Sequence, residues 1–128
     1  MNQIVILLAL VFGLKTPAPD NADIILGRWI NIPKENLIID VYKSNNEYRG
    51  KISWGKDNDK KKPVGFVILD KLKYNSRNNI WENGKIHDPN TGRTYSAIAK
   101  IKSDSTLEVL GYIGLKIFGS KRYFKRVR

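Results

Sequence analysis

The stretch W-E-N-G-K-I-H-D-P-N-T-G-R-T-Y, Trp81 to Tyr95, decides how the rest of the chain is read. Two strand-like runs, Trp81–His87 and Arg93–Ile101, flank the punctuation Asp88-Pro89-Asn90-Thr91-Gly92. Pro89 presets φ for the first central position of a type I turn, and Asn90 tolerates the second. Gly92 can take the left-handed conformation that closes the loop onto the next strand. Asp88 is placed to accept hydrogen bonds from the loop amides. The segment predicts an antiparallel hairpin whose turn pins the register of both strands.

Outward from this hairpin the same grammar repeats. Upstream, Asp23–Asn31 reads as a first strand, Pro33–Asn36 as a turn, and Leu37–Lys43 as a second strand. Glu47–Trp54 alternates cleanly, with Tyr48, Gly50, Ile52 and Trp54 on one face and Arg49, Lys51 and Ser53 on the other. Gly50 inside that strand suggests a bulge or bend. Gly55–Pro63 is the most polar stretch and reads as an exposed loop. Its Asp57-Asn58-Asp59 lacks the central Gly and distant Glu of a calcium loop. Val64–Tyr74 has a mixed period, and its β-branched and aromatic content favours a strand with at most a short helical turn at its start. Downstream, Thr106–Ile113 and Lys121–Val127 complete the set. Eight or nine short strands at roughly 8–12-residue spacing close into an antiparallel barrel or pack as a sandwich.

At 128 residues the chain suffices for one domain with a real core. It contains no cysteine, which excludes disulfides, thiolate metal sites, a Cys nucleophile and lipid attachment at cysteine. Residues 4–14 form an unbroken apolar run of 11 residues, shorter than the roughly 20 that a spanning helix needs. The run reads first as the h-region of a signal-peptide helix, so residues 1–22 are expected to be leader and linker and 23–128 the folded domain. Cleavage is placed near Ala18 or Ala22. An uncleaved anchor and a buried segment are the other readings. A signal peptide or an anchor puts the domain outside the cytoplasm, periplasmic or secreted, with no transmembrane anchor left after cleavage.

The net charge is +11. Nucleic acid is not an expected partner for an exported domain, and an anionic envelope component suits the charge better. A merely basic, soluble surface is the simpler account of it. The C-terminal run Lys121–Arg128 interleaves basic and aromatic residues, and Lys121, Arg122, Lys125 and Arg126 are the candidates for contact with an anionic partner. An edge strand guarded by lysines is the simpler account of that run.

Five stretches, taken together and in order, carry a resemblance: Ile25-Leu26-Gly27-Arg28-Trp29, Gly50-Lys51-Ile52-Ser53-Trp54, Trp81–Ile86, Asp88-Pro89-x-x-Gly92-x-x-Tyr95, and Gly111-Tyr112-x-Gly114-x-x-x-Phe118-Gly119. The chain resembles the bacterial family of domain of unknown function 2147 from about residue 23 to its end. The resemblance implies an exported protein with a lipocalin-like β-barrel and no established activity. One departure is the loop Gly55–Pro63, shorter than the Asp-, Pro- and Arg-rich loop associated with relatives. Gly27-x-Trp29 is also similar to the lipocalin G-x-W signature, in which an Arg of the last strand packs across the Trp. Arg122 and Arg126 are the candidates for that Arg, Arg126 being preferred.

For chemistry the residues offer little. The only histidine, His87, flanks the hairpin tip and reads as a surface residue, so neither a Ser-His-Asp arrangement nor an imidazole metal site is expected. No cofactor is implied, no carboxylate pair stands out, and an enzyme reading has no positive support. The aromatic residues say more. Tyr48, Trp54, Trp81, Tyr95 and Tyr112 fall in strands and are the candidates for lining a cavity that takes a small apolar or amphipathic ligand. Small residues at Gly50, Ala97, Ala99 and Gly111 would leave room beside them. The alternative is that the rings simply fill the barrel.

Overall fold

The computed structural model describes residues 21–103 and 105–128, with Phe118 described by its backbone alone. Of the leader and linker expected over residues 1–22, residues 1–20 lie outside the described residues. Eight strands succeed one another: β1 (Gly27–Ile32), β2 (Leu37–Ser44), β3 (Glu47–Gly55), β4 (Val67–Asn75), β5 (Ile80–His87), β6 (Thr94–Ser103), β7 (Thr106–Tyr112) and β8 (Ser120–Arg126). Each pairs antiparallel with the next, and β8 returns to β1 with Trp29 opposite Arg126 and Ile32 opposite Tyr123. The alternatives of barrel and sandwich resolve to a closed up-and-down barrel, which leaves no free sheet edge. The C-terminal run is therefore not an edge strand.

The Trp81–Tyr95 hairpin forms as its residues dictate. Asp88 Oδ1 accepts the Asn90 amide at 2.8 Å and the Thr91 amide at 3.4 Å, and Gly92 has φ 75°. The Asp88 amide donates to the Arg93 carbonyl, which leaves His87 opposite Thr94 and Ile86 opposite Tyr95. The Asn90 amide, aided by Thr91, holds the Asp88 carboxyl below its ordinary range.

Two departures from simple alternation decide what faces the interior. Between Ile38 and Ile39 of β2 the partner on β3 jumps from Trp54 to Ile52, so Ser53 is an extra residue. A one-residue bulge inverts the facing of the strand beyond it. Tyr48, Gly50 and Ile52 are buried, whereas Trp54 pairs with Ile38 and is 39% exposed. Trp54 is thus turned out of the barrel, against the alternation expected from sequence. The second departure is a matched pair: Lys71 on β4 (φ 59°) and Asn83 on β5 (φ 60°) sit between the Asp70–Lys85 and Lys73–Glu82 pairings. The extra residue on each strand lets Leu69 and Leu72, and likewise Trp81 and Gly84, both be buried at a spacing of three.

The segment Asn21–Ile25, whose latter part is expected from sequence to begin the first strand, is instead a 3-10 helix. Burial explains it: Ala22 and Ile25 are 4% and 0% exposed, and the helix caps one end of the barrel. The chain then enters β1 through Gly27 at φ 118°, a conformation that side chains rarely adopt.

Candidate functional site

In a sequential meander the β1–β2, β3–β4, β5–β6 and β7–β8 loops gather at one end, and the remaining connections and the 3-10 helix at the other. The helix end is sealed. Trp29 Nε1 donates to the Ile25 carbonyl at 2.9 Å, and Trp81 Nε1 to the Ala22 carbonyl at 3.2 Å. The Tyr48 hydroxyl bonds Asp23, and that bond, with Lys43 nearby, lowers the Asp23 pKa. The guanidinium of Arg126 lies 4.2 Å from the Trp29 ring centre and donates to the carbonyls of Leu26 and Ile24. Burial, then repulsion by Arg128, lowers its pKa. A side chain on Gly27 would meet Arg126 at 3.2 Å, so the glycine of the G-x-W stretch also makes room for the arginine.

The opposite end is open, over a cavity of about 780 Å³. Its wall is apolar where Leu37, Ile39, Ile52, Leu69, Ile86 and Val109 point inward. Higher up come Tyr95, Tyr112 and Arg122, and residues of all four loops form the rim. The hydroxyls of Tyr95 and Tyr112 have no hydrogen-bond partner among the described residues. Arg122 has one: its Nη1 donates to the Lys121 carbonyl at 3.2 Å, and it forms no ion pair among the described residues. Asn31 is spent on structure; its Oδ1 accepts the Asn36 and Leu37 amides, which fixes the β1–β2 turn.

Of the five aromatic candidates, Tyr95 lines this cavity, and Tyr112 borders it at the end of β7 on the opposite face to Gly111. Tyr48 and Trp81, 2% and 0% exposed, belong to the sealed end, and Trp54 faces outward. The small residues do not hollow out the barrel as expected. The space at Gly50 is taken by Leu69 and Ile39, and Ala97 and Ala99 are packed into the core at 1% and 0% exposure; of the four only Gly111 reaches the cavity. The four basic candidates of β8 separate by face. Arg122 and Arg126 are on the interior side, at the open and sealed ends respectively, whereas Lys121 and Lys125 project outward toward Glu108 and Glu35. Arg122 is thus a mouth residue rather than one more cation of the outer surface, and its spacing from Phe124 and Arg126 is the sequence signal for that face.

His87 completes a polar cluster of the wall. Its Nε2 lies 3.4 Å from Asp70 Oδ2 and its Nδ1 3.1 Å from Thr94 Oγ1. Asp70 Oδ1 and Arg49 Nε approach to 2.9 Å as an ion pair without an aligned hydrogen bond. The cluster ties β3, β4, β5 and β6 together. Among the described residues no group of three or more His, Asp or Glu is placed to hold a metal ion.

A sequential eight-stranded barrel, sealed at one end by a tryptophan under an arginine and hollow at the other, defines a lipocalin-like protein. The chain belongs to the family described as "Uncharacterized protein conserved in bacteria (DUF2147)", whose model matches residues 27–126. Among solved structures it is similar to protein HP1028 from the human pathogen Helicobacter pylori, described as belonging to the lipocalin family. That likeness has a TM-score of 0.67 and 18% sequence identity, over 80% of this chain and 82% of that one. It bears on the fold alone. No curated protein matches the sequence.

Proposed function

We propose that this protein, exported by its leader, binds one amphipathic molecule in the open half of the barrel, without catalysis. The apolar part of the ligand lies against Ile52, Leu69 and Val109, and an anionic head sits at the mouth beside Arg122 and the Tyr95 hydroxyl. The observation that carries this reading is a 780 Å³ cavity with an apolar wall and an arginine at its mouth that forms no ion pair among the described residues. Volumes of about 300–1,000 Å³ with few polar groups are usual for small-molecule sites. Arg122 offers a charge-assisted pair to a carboxylate or phosphate, worth more than a neutral hydrogen bond but reduced by its contact with water.

The test is displacement of an environment-sensitive apolar fluorophore by long-chain carboxylates, and by alcohols of the same length. Carboxylates should bind more tightly, and Arg122→Gln should weaken them by about 3–10-fold while leaving alcohols unchanged. No displacement by either series would refute the reading. Equal loss for both would remove the role given to Arg122.

A further inference from the structure

The apolar side chains left in water are not spread evenly. Among the described residues the four most exposed large ones are Ile117 (81%), Val64 (71%), Ile113 (64%) and Leu115 (63%), and all four lie on loops of the open end. Three of them fall in the β7–β8 connection Ile113-Gly114-Leu115-Lys116-Ile117, and Val64 lies in the β3–β4 connection, on the far side of the mouth in strand order. Single exposed aliphatics need no explanation, but several gathered at one rim mark a contact surface.

The charge at the same rim states what kind of contact. Lys34, Lys56, Lys60 and Lys116 are exposed in these loops and form no ion pair among the described residues. The acids nearby are largely engaged: Asp59 with Lys62 at 2.7 Å, Glu35 with Lys125 at 2.7 Å, and Asp88 with its own loop amides. The sealed end lacks the apolar cluster: its most exposed large apolar side chain is Ile24 at 45%, so its exposed cations such as Arg77 have no aliphatic tips beside them. Aliphatic tips interleaved with unpaired lysines match a bilayer carrying anionic headgroups: the tips enter the acyl boundary while the ammonium groups stay among the phosphates. A protein partner would have to supply both a large apolar pocket and a ring of carboxylates.

We propose that the open end of the barrel docks on an anionic phospholipid bilayer through the loops 113–117 and 56–66, so that the cavity mouth faces the membrane. The docking surface is separate from the cavity; the ligand reading adds only that an amphipathic molecule would then pass between bilayer and barrel without crossing water.

The experiment is flotation of the protein with vesicles of phosphatidylcholine alone and of phosphatidylcholine mixed with phosphatidylglycerol. Binding is expected only to the anionic vesicles, and to fall as salt rises. The double variant Leu115→Ser, Ile117→Ser should bind at least about tenfold more weakly, whereas Ile24→Ser should bind as the parent. Because all three positions are exposed, unchanged thermal unfolding checks that the variants fold. Leu115→Trp adds a local readout, a blue-shifted emission on anionic vesicles that is absent without them. Three outcomes overturn the proposal: no anionic preference, equal loss in Ile24→Ser, or concentration-dependent self-association that the double variant abolishes, which would make a second copy the occupant. Fluorophore displacement in the absence of vesicles reads the cavity alone, so failure of docking and failure of ligand binding are told apart.

Discussion

At the sealed end Trp29, Tyr48 and Trp81 are 0%, 2% and 0% exposed, and every polar tip has a partner in the 3-10 helix. At the open end Tyr95, Tyr112 and Arg122 are at least partly exposed; among the described residues the tyrosine hydroxyls have no partner and the arginine reaches only a neighbouring carbonyl. The same eight strands serve both ends. What differs is where the polar requirements of the side chains are met, inside the protein at one end and by whatever enters at the other. The sealed end should therefore govern stability and the open end binding.

Substitutions that break this division are ordered by expected size. Trp81→Ala removes a ring with no exposure and its hydrogen bond to the Ala22 carbonyl, and chemical denaturation should show a loss of about 3–5 kcal/mol. Gly84→Ala drives a methyl to 2.5 Å from Leu72 Cδ2 and 3.0 Å from the Asp70 carbonyl. Overpacking of that kind should cost about 1–3 kcal/mol in the same assay. Arg126→Ala uncovers Trp29 and leaves two carbonyls without a donor, for about 1–2 kcal/mol.

The hairpin sharpens the comparison through pH. Asp88 has a folded pKa below its unfolded one, so its contribution is present above the unfolded value and is lost as pH falls through the folded value. At neutral pH Asp88→Ala should lower stability by about 0.5–1 kcal/mol. Denaturation curves of parent and variant should converge as the solution is acidified below the ordinary carboxylate range. At the open end Tyr95→Phe should shift stability by no more than about 0.5 kcal/mol, yet weaken a ligand whose head uses the hydroxyl.

Much of this architecture is legible in local chemistry. Asp88, Pro89 and Gly92 specify their turn within a few residues. Arg126 over Trp29 is implied by the G-x-W stretch and the last strand. Three features are not legible. The bulge at Ser53 leaves no residue signature, and it inverts Trp54. The left-handed Lys71 and Asn83 fall in the same gap between ladder pairs of two strands, a coincidence that no local window contains. Asn21–Ile25 is helical because it covers the rings of the sealed end, a tertiary reason. Alternation also tells which side chains point inward but not their height along the axis. Height depends on the stagger of all eight strands. For that reason sequence alone does not separate Tyr48 and Trp81 from Tyr95 and Tyr112.

The central claim, that the open half of the barrel holds a ligand, is tested most directly by filling it. Gly111 lines the cavity without a left-handed backbone, and a side chain there meets first the flexible tip of Ile86. Native mass spectrometry with a long-chain carboxylate should show one molecule bound to the parent and none to Gly111→Phe, with unfolding of the variant still cooperative. Undiminished binding to Gly111→Phe, or none to the parent, would contradict the account.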